Sequence, residues 1–133
     1  MAGVKILLVE DNVVNRRLAE FLLRSQGYQV REVASAQEAF EVLRVERFDL
    51  ILMDVQLPGL DGLEATRRLK ANADTCHIPV VAVTSYAMKG DRENALAAGC
   101  CGYITKPIDK SRFVQEVAMH LPARAGSPGN GRA

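Results

Sequence analysis

The sequence predicts an α/β fold in which helices cover both faces of a doubly wound, five-stranded parallel sheet. Short apolar runs alternate with amphipathic stretches of about ten residues, which is typical of βα units joined by right-handed crossovers. The run 50–53 is wholly apolar and is closed by Asp54, as expected of a central strand buried on both faces. Three further apolar runs also end at a polar residue. We therefore expect five βα units.

The first two units are defined by helix-capping residues. The strand at 6–9 precedes a helix that is predicted to begin after Asn12 and to end at Gly27. Helical periodicity assigns the buried face of this helix to Val14, Leu18, Phe21 and Leu22. The strand at 28–33 alternates apolar and polar residues, and a capping box at 35–38 starts the second helix. The apolar face of that helix is formed by Ala36, Ala39, Phe40 and Leu43.

The third unit begins with the central strand. The Pro-Gly pair at 58–59 predicts a loop after it. A third helix is expected to start at Asp61 and Gly62, with Asp61 as its N-cap because acids are favoured there. Glu64 and Arg68 lie four residues apart, in the order that favours an ion pair on this helix.

The last two units follow the same pattern. The strand at 80–83 precedes a helix at 89–98 that ends at Gly99. Its core face is small, so we expect this helix to be weakly held and mobile; it is built from Ala95, Leu96, Ala97 and Ala98. The strand at 103–105 precedes a helix capped by Asp109. Pro122 is predicted to end that helix. Its buried face is predicted to contain Phe113, Val114, Val117 and Leu121.

Composition indicates one domain, at 1–122, followed by a disordered tail at 123–133 without an apolar anchor. Lys+Arg 17 against Asp+Glu 16 gives a net charge of +1, so no overall field attracts nucleic acid or a membrane surface. The first apolar run is too short for a signal peptide or a membrane span, and we expect a cytoplasmic protein. Free thiols and surface imidazoles are expected at Cys76, Cys100, Cys101, His77 and His120.

The polar residues that close the strands predict a site. Because the carboxyl ends of parallel strands meet at one edge, Glu10, Asp11 and Asp54 would converge there. Three carboxylates repel one another unless a cation lies among them, and their hard oxygens suit Mg²⁺. With Mg²⁺ and Lys106 neutralising the phosphoryl oxygens, Asp54 can act as a nucleophile on phosphorus. Thr84 would donate a hydrogen bond to one of those oxygens.

A combined pattern of residue types and spacing occurs in the stretches 8–12, 53–54, 57–62, 84–85, Gly99 and 102–107. Through these stretches, residues 4–121 resemble the receiver domains of two-component response regulators, both single-domain chemotaxis receivers and the receivers of hybrid kinases. The resemblance implies a flavodoxin-like sheet with strand order 2-1-3-4-5.

This resemblance implies that Asp54 accepts a phosphoryl group from a phosphohistidine of a sensor kinase or a histidine phosphotransfer protein. Mg²⁺ would be held by Asp11, Asp54 and the backbone carbonyl of Gln56, with Glu10 acting largely through water. Lys106 would pair with the phosphoryl oxygens. The chain would be a phosphoacceptor that promotes its own phosphorylation and dephosphorylation, and not an enzyme with turnover.

The resemblance also implies a switch. The hydroxyl of Thr84 turns toward the phosphoryl group, and the ring of Tyr103 moves inward into the space that is released. Gln56 and Tyr86 lie at the positions that tune removal of the phosphoryl group by water. The peptide bond before Pro107 is expected to be cis, a rare form that is essentially confined to proline.

The expected partners are proteins. By resemblance, the donor docks on the first helix, around Asn15, Leu18 and Ala19, and near Pro107 and Ile108. The output is contact with a downstream protein that the sequence does not identify, without nucleic acid or membrane. Glu-Asp-Asn at 10–12 with Asn15 resembles hybrid-kinase and phosphorelay receivers. We expect a monomer, with pairing on phosphorylation as the alternative; a stand-alone protein and a receiver cut from a larger one both stay open.

The sequence leaves two alternative functions open. A Mg²⁺-dependent phosphohydrolase would also use Asp54, but such enzymes typically place a second acid two residues later, where this chain has Gln56. A receiver fold could also bind proteins without being phosphorylated. A flavin binder is disfavoured because Glu10 and Asp11 would repel the cofactor's phosphate.

Overall fold

Five parallel strands form one sheet in the order β2-β1-β3-β4-β5, as predicted. The structure is a computed structural model that describes residues 3–57, 59–84, 90–106 and 109–121. Its elements are β1 (Lys5–Val9), α1 (Val13–Ser25), β2 (Gln29–Val33), α2 (Ala36–Leu43), β3 (Leu50–Asp54), α3 (Gly62–Ala71), β4 (Val80–Thr84), α4 (Asp91–Ala98), β5 (Gly102–Thr105) and α5 (Lys110–His120).

The sheet separates two apolar cores. Every residue of β3 and of β4 is buried, because helices cover these central strands on both sides. One core packs α1 and α5 against the sheet through Leu23, Phe113 and Val117, which are at most 1% exposed. The other core packs α2, α3 and α4 on the opposite face. This two-sided arrangement is the doubly wound fold that the sequence predicts.

Four of the five predicted helix starts, those of α1, α2, α3 and α5, are confirmed by side-chain caps. Asn12 Oδ1 accepts a hydrogen bond from the Asn15 N–H at 2.9 Å, and Asp61 Oδ1 accepts from two N–H groups of α3, each at 2.9 Å. Asp109 caps α5 in the same way. Ser35 caps α2, because its Oγ accepts a hydrogen bond from the N–H of Glu38 at 3.2 Å. In return, Glu38 Oε1 accepts from the N–H of Ala34 at 2.9 Å. A standard capping box would use the N–H of Ser35, so this one is displaced by one residue toward the N-terminus.

The predicted buried face of α1 is largely wrong. Val14 is 74% exposed and Phe21 is 69% exposed, and Leu18 also lies on the surface. The residues that α1 buries are Ala19, Leu22 and Leu23. The helix offers two overlapping apolar stripes, and it turns toward the sheet the one that contains the small Ala19, which leaves the other stripe exposed.

The predicted core face of α4 is half right. Ala95 and Ala98 are buried, but Leu96, which is 46% exposed, and Ala97, which is also exposed, lie outside that face.

The three cysteines are free thiols, as predicted. Of the two histidines predicted on the surface, His77 is exposed and His120 is half-buried. Some predictions fall on residues outside the described ranges, namely Pro58, Tyr86, Lys89, Pro107, Ile108 and the segment from 122 onward.

Among the residues that the structure describes, no helix has the length and apolar character needed to cross a membrane.

Candidate phosphoryl-acceptor site at the carboxyl edge of the sheet

The strand register brings the predicted polar residues to one edge of the sheet. Val9 of β1 lies level with Met53 of β3, and Thr84 of β4 lies level with Thr105 of β5. The next residues along these strands therefore reach the same edge. The structure places there five of the residues singled out in the sequence: Glu10, Asp11, Asp54, Thr84 and Lys106.

Three carboxylates form an acidic cluster at this edge. One oxygen of each of Glu10, Asp11 and Asp54 lies within 4.8 Å of the others. Glu10 is 4% exposed and Asp54 is 3% exposed, whereas Asp11 faces solvent. In the described ranges this is the one group of three or more acids, histidines or cysteines close enough to share a metal ion. A set of hard oxygen donors open to water on one side fits Mg²⁺.

Lys106 supplies a cation between the two buried acids. Its Nζ lies 2.7 Å from Glu10 Oε1 and 3.5 Å from Asp54 Oδ2, and its side chain is 8% exposed. The backbone N–H of Lys106 donates to the Thr84 carbonyl oxygen at 2.7 Å, which fixes the base of the side chain beside β4. Within the described part of the chain, one ammonium thus faces three carboxylates, and the site can accept a further cation.

The environment raises the pKa of Asp54 from 3.8 to about 7. Burial is the main cause, and the neighbouring carboxylate of Glu10 adds to it. The Lys106 ammonium and the backbone N–H of Gln56, which donates to Asp54 Oδ1 at 3.1 Å, oppose the rise. The pKa of Asp54 thus lies near neutral pH, and a cation among the carboxylates would favour the ionised form.

Thr84 is in contact with the loop that follows β3. It is 1% exposed, and its Oγ1 lies 2.8 Å from Nε2 and 3.1 Å from Oε1 of the Gln56 side chain. The ring of Tyr103 is partly buried against the core that includes β3 and α4. Its hydroxyl oxygen is buried and has no hydrogen-bond partner in the described part of the chain.

Two further residues support the site in ways that the sequence does not indicate. Arg16 of α1 donates from Nη1 to the Glu10 carbonyl oxygen at 3.0 Å and from Nε to Glu32 Oε1 at 3.2 Å. It therefore links the backbone at Glu10 to β2. At Gly62 a Cβ would overlap the carbonyl oxygen of Asp54. The Asp-Gly pair at 61–62 predicts a helix start, and the close approach of α3 to β3 is the second reason for that glycine.

Comparison with known proteins agrees with this geometry. The family model described as response regulator receiver domain matches residues 6–118. The polar-differentiation response regulator DivK of Brucella anthropi is 44% identical over 116 residues, which cover 87% of this chain and 94% of DivK.

Solved structures give the same result. The receiver domain of a sensor histidine kinase from Pseudomonas aeruginosa, crystallised with a magnesium ion coordinated in its active site cleft, is 43% identical with a TM-score of 0.81, over 90% of this chain and 98% of that one. A chemotaxis response regulator of Vibrio cholerae has a TM-score of 0.84 at 24% identity, over 90% and 99% of the two chains, which is a likeness of fold.

Proposed function

The chain belongs to the family of response regulator receiver domains of two-component signalling, and from that premise we propose that Asp54 is its phosphoryl acceptor. The observation that carries this proposal is the convergence of a buried aspartate at a strand end with two further acids and a buried ammonium. Burying an ionisable carboxyl group is unfavourable for the free energy of folding. Its burial here therefore supports a chemical role.

We propose Mg²⁺ as the cofactor, held by Asp11, Asp54 and the backbone carbonyl of Gln56, with Glu10 contributing largely through water. The acidic cluster and the magnesium ion of the Pseudomonas aeruginosa receiver support this assignment. Bound there, Mg²⁺ would neutralise charge on the phosphoryl oxygens.

The residues of the chain then have separate roles in the transfer. A carboxylate oxygen of Asp54 attacks the phosphorus of a phosphohistidine, the new O–P bond forms as the N–P bond breaks, and the electron pair stays on the imidazole nitrogen. Lys106 pairs with the phosphoryl oxygens, and the hydroxyl of Thr84 donates to one of them. The ring of Tyr103 then moves inward into the space that the Thr84 hydroxyl releases. Water later removes the phosphoryl group, at a rate that Gln56 and Tyr86 tune.

The proposed donor is a sensor kinase or a histidine phosphotransfer protein that docks on α1. The exposed apolar stripe formed by Val14, Leu18 and Phe21, together with Asn15, supplies the surface. Ala19, which the family resemblance assigns to this surface, is 2% exposed and instead packs against the sheet. We further propose that the receiver domain spans 1–122 with a tail at 123–133, acts as a cytoplasmic monomer, and signals by contact with a downstream protein.

The test is the mass of the intact protein after incubation with acetyl phosphate, with and without Mg²⁺. We expect the wild type to gain one phosphoryl group only when Mg²⁺ is present, and Asp54→Asn to gain none. Asp61→Asn is the matched control, because asparagine also serves as an N-cap and the side chain lies outside the acidic cluster; it should gain the group as the wild type does.

Other outcomes would contradict the proposal in different ways. An adduct that persists in Asp54→Asn would move the acceptor to another residue. Steady release of phosphate from a phosphomonoester such as p-nitrophenyl phosphate, without an adduct, would favour a phosphohydrolase. No adduct, no release and no beryllofluoride binding would favour a protein-binding module that works without phosphorylation.

A further inference from the structure

The side chain of Gln56 holds the hydroxyl of Thr84 through both ends of its amide. The 2.8 Å distance from Nε2 and the 3.1 Å distance from Oε1 to Thr84 Oγ1 are both hydrogen-bond lengths. A threonine hydroxyl has one proton to donate and lone pairs that accept. It can therefore accept from the amide nitrogen and donate to the amide oxygen of the same glutamine.

Both residues are attached to fixed backbone. The N–H of Gln56 donates to Asp54 Oδ1 at 3.1 Å, and the N–H of Val55 donates to the Val83 carbonyl oxygen at 2.9 Å. On the other side, the Thr84 carbonyl oxygen accepts the backbone N–H of Lys106. The contact thus joins the loop after β3 to the end of β4 directly beside the acceptor carboxylate.

We infer that Gln56 is a positioning residue that holds the Thr84 hydroxyl in its resting orientation, and that this contact opposes the phosphorylated state. The inference rests on the proposed function, in which Thr84 donates a hydrogen bond to a phosphoryl oxygen on Asp54. The hydroxyl has a single proton, so donation to the phosphoryl oxygen ends donation to Gln56 Oε1. Phosphorylation must therefore displace the bond that the resting state makes.

This role differs from an effect on the water that removes the phosphoryl group. An effect on water changes the rate of dephosphorylation only. A contact that stabilises the resting state changes an equilibrium, and so it weakens the affinity for a stable mimic of the phosphoryl group that water does not attack. Beryllofluoride with Mg²⁺ is such a mimic.

The test is a double-mutant cycle on beryllofluoride affinity. Gln56→Met keeps the length of the side chain without the amide, and Thr84→Val keeps the shape of threonine without the hydroxyl. We expect Gln56→Met to bind beryllofluoride about fivefold more tightly than the wild type, as one lost hydrogen bond allows. The same change should have no effect in the Thr84→Val protein, and its effect should return in Thr84→Ser, which keeps a hydroxyl.

A second measurement follows the contact itself in the metal-free, unphosphorylated protein. We expect the NMR signals of the Gln56 side-chain amide to shift in Thr84→Val, while those of Gln37, exposed on α2, do not move. This readout does not depend on phosphorylation.

The outcomes separate the inference from the proposed function. Equal beryllofluoride affinity in the wild type and Gln56→Met, or equal tightening in both the threonine and valine backgrounds, would overturn the inference and leave Asp54 as the acceptor. Unmoved amide signals of Gln56 would overturn it as well. Failure of the wild type to bind beryllofluoride would instead overturn the proposed function, and with it the consequence drawn for the switch.

Discussion

Replacing Asp54, the proposed acceptor, by asparagine should make the metal-free protein more stable than the wild type at neutral and alkaline pH. Asp54 is buried beside a second carboxylate, and its pKa is raised from 3.8 to about 7 in the folded chain. Between these two pH values the folded state binds more protons than the unfolded chain, so the stability of the wild type falls as the pH rises through this window. The asparagine introduced by Asp54→Asn has no ionised form, so the variant escapes this loss.

The magnitude follows from the two pKa values. The interval from 3.8 to about 7, at about 1.4 kcal/mol per pH unit, corresponds to about 4 kcal/mol. Asparagine keeps the size of the side chain and an oxygen that accepts the Gln56 N–H. We therefore expect Asp54→Asn to match the wild type near pH 4 and to exceed its free energy of unfolding by about 2 to 4 kcal/mol at pH 8.

Urea denaturation followed by circular dichroism from pH 4 to pH 8, in the presence of a chelator, measures this difference. Adding Mg²⁺ at pH 8 should narrow it, because a ligand that binds the folded state stabilises the wild type. A difference that is constant between pH 4 and pH 8 would refute the assignment of the raised pKa to Asp54. So would a variant that is less stable than the wild type at pH 8.

Three further predictions concern single contacts and are measured by urea denaturation. Lys106→Met leaves two buried carboxylates without their ammonium and should cost about 3 to 5 kcal/mol at pH 8; a loss below about 1 kcal/mol would contradict the paired geometry. Gly62→Ala, whose Cβ would overlap a backbone carbonyl, should cost about 1 to 3 kcal/mol and lower the adduct yield with acetyl phosphate. Gly59→Ala meets only the strain of its φ of 76° and should keep that yield. Leu23→Ala should cost about 2 to 5 kcal/mol and Phe21→Ala about 0.5 kcal/mol or less; the reverse order would contradict the orientation of α1.

The sheet and the edge that carries the site could be predicted because both depend on patterns along single strands. A fully buried parallel strand needs a continuous apolar run, and the run 50–54 is short enough that its closing acid marks the strand end. The same reasoning places Thr84 and Lys106 at the ends of their strands. Because the strands are parallel, these end residues must meet at one edge of the sheet, and no side-chain contact is needed to predict this.

The orientation of α1 could not be predicted in the same way. Its sequence offers two apolar stripes that share Leu22, and periodicity ranks a stripe by its hydrophobicity alone. The choice between them depends on packing against the sheet in three dimensions, where the buried stripe includes the small Ala19. An exposed stripe that resembles a core face is also the expected sequence signature of a docking surface.

The contact between Gln56 and Thr84 could not be predicted from the sequence for another reason. The two residues are 28 positions apart, and neither the amide nor the hydroxyl is unusual where it stands. The family resemblance implies a separate role for each residue, one in tuning and one in switching. Only the geometry shows that the two side chains meet, and the proposed link between the two roles starts from that contact.

The same carboxylate atoms that would bind Mg²⁺ in the proposed chemistry lower the stability of the metal-free fold. Burial raises the pKa of Asp54, and among the described residues one ammonium faces three carboxylates, so the free site is short of positive charge. That shortage destabilises the metal-free fold, and it also makes binding of a divalent cation favourable. An asparagine at position 54 relieves the first effect and weakens the second. The gain in stability and the loss of Mg²⁺ affinity in Asp54→Asn should therefore occur together, and a variant that gained stability while binding Mg²⁺ as the wild type does would separate the two effects.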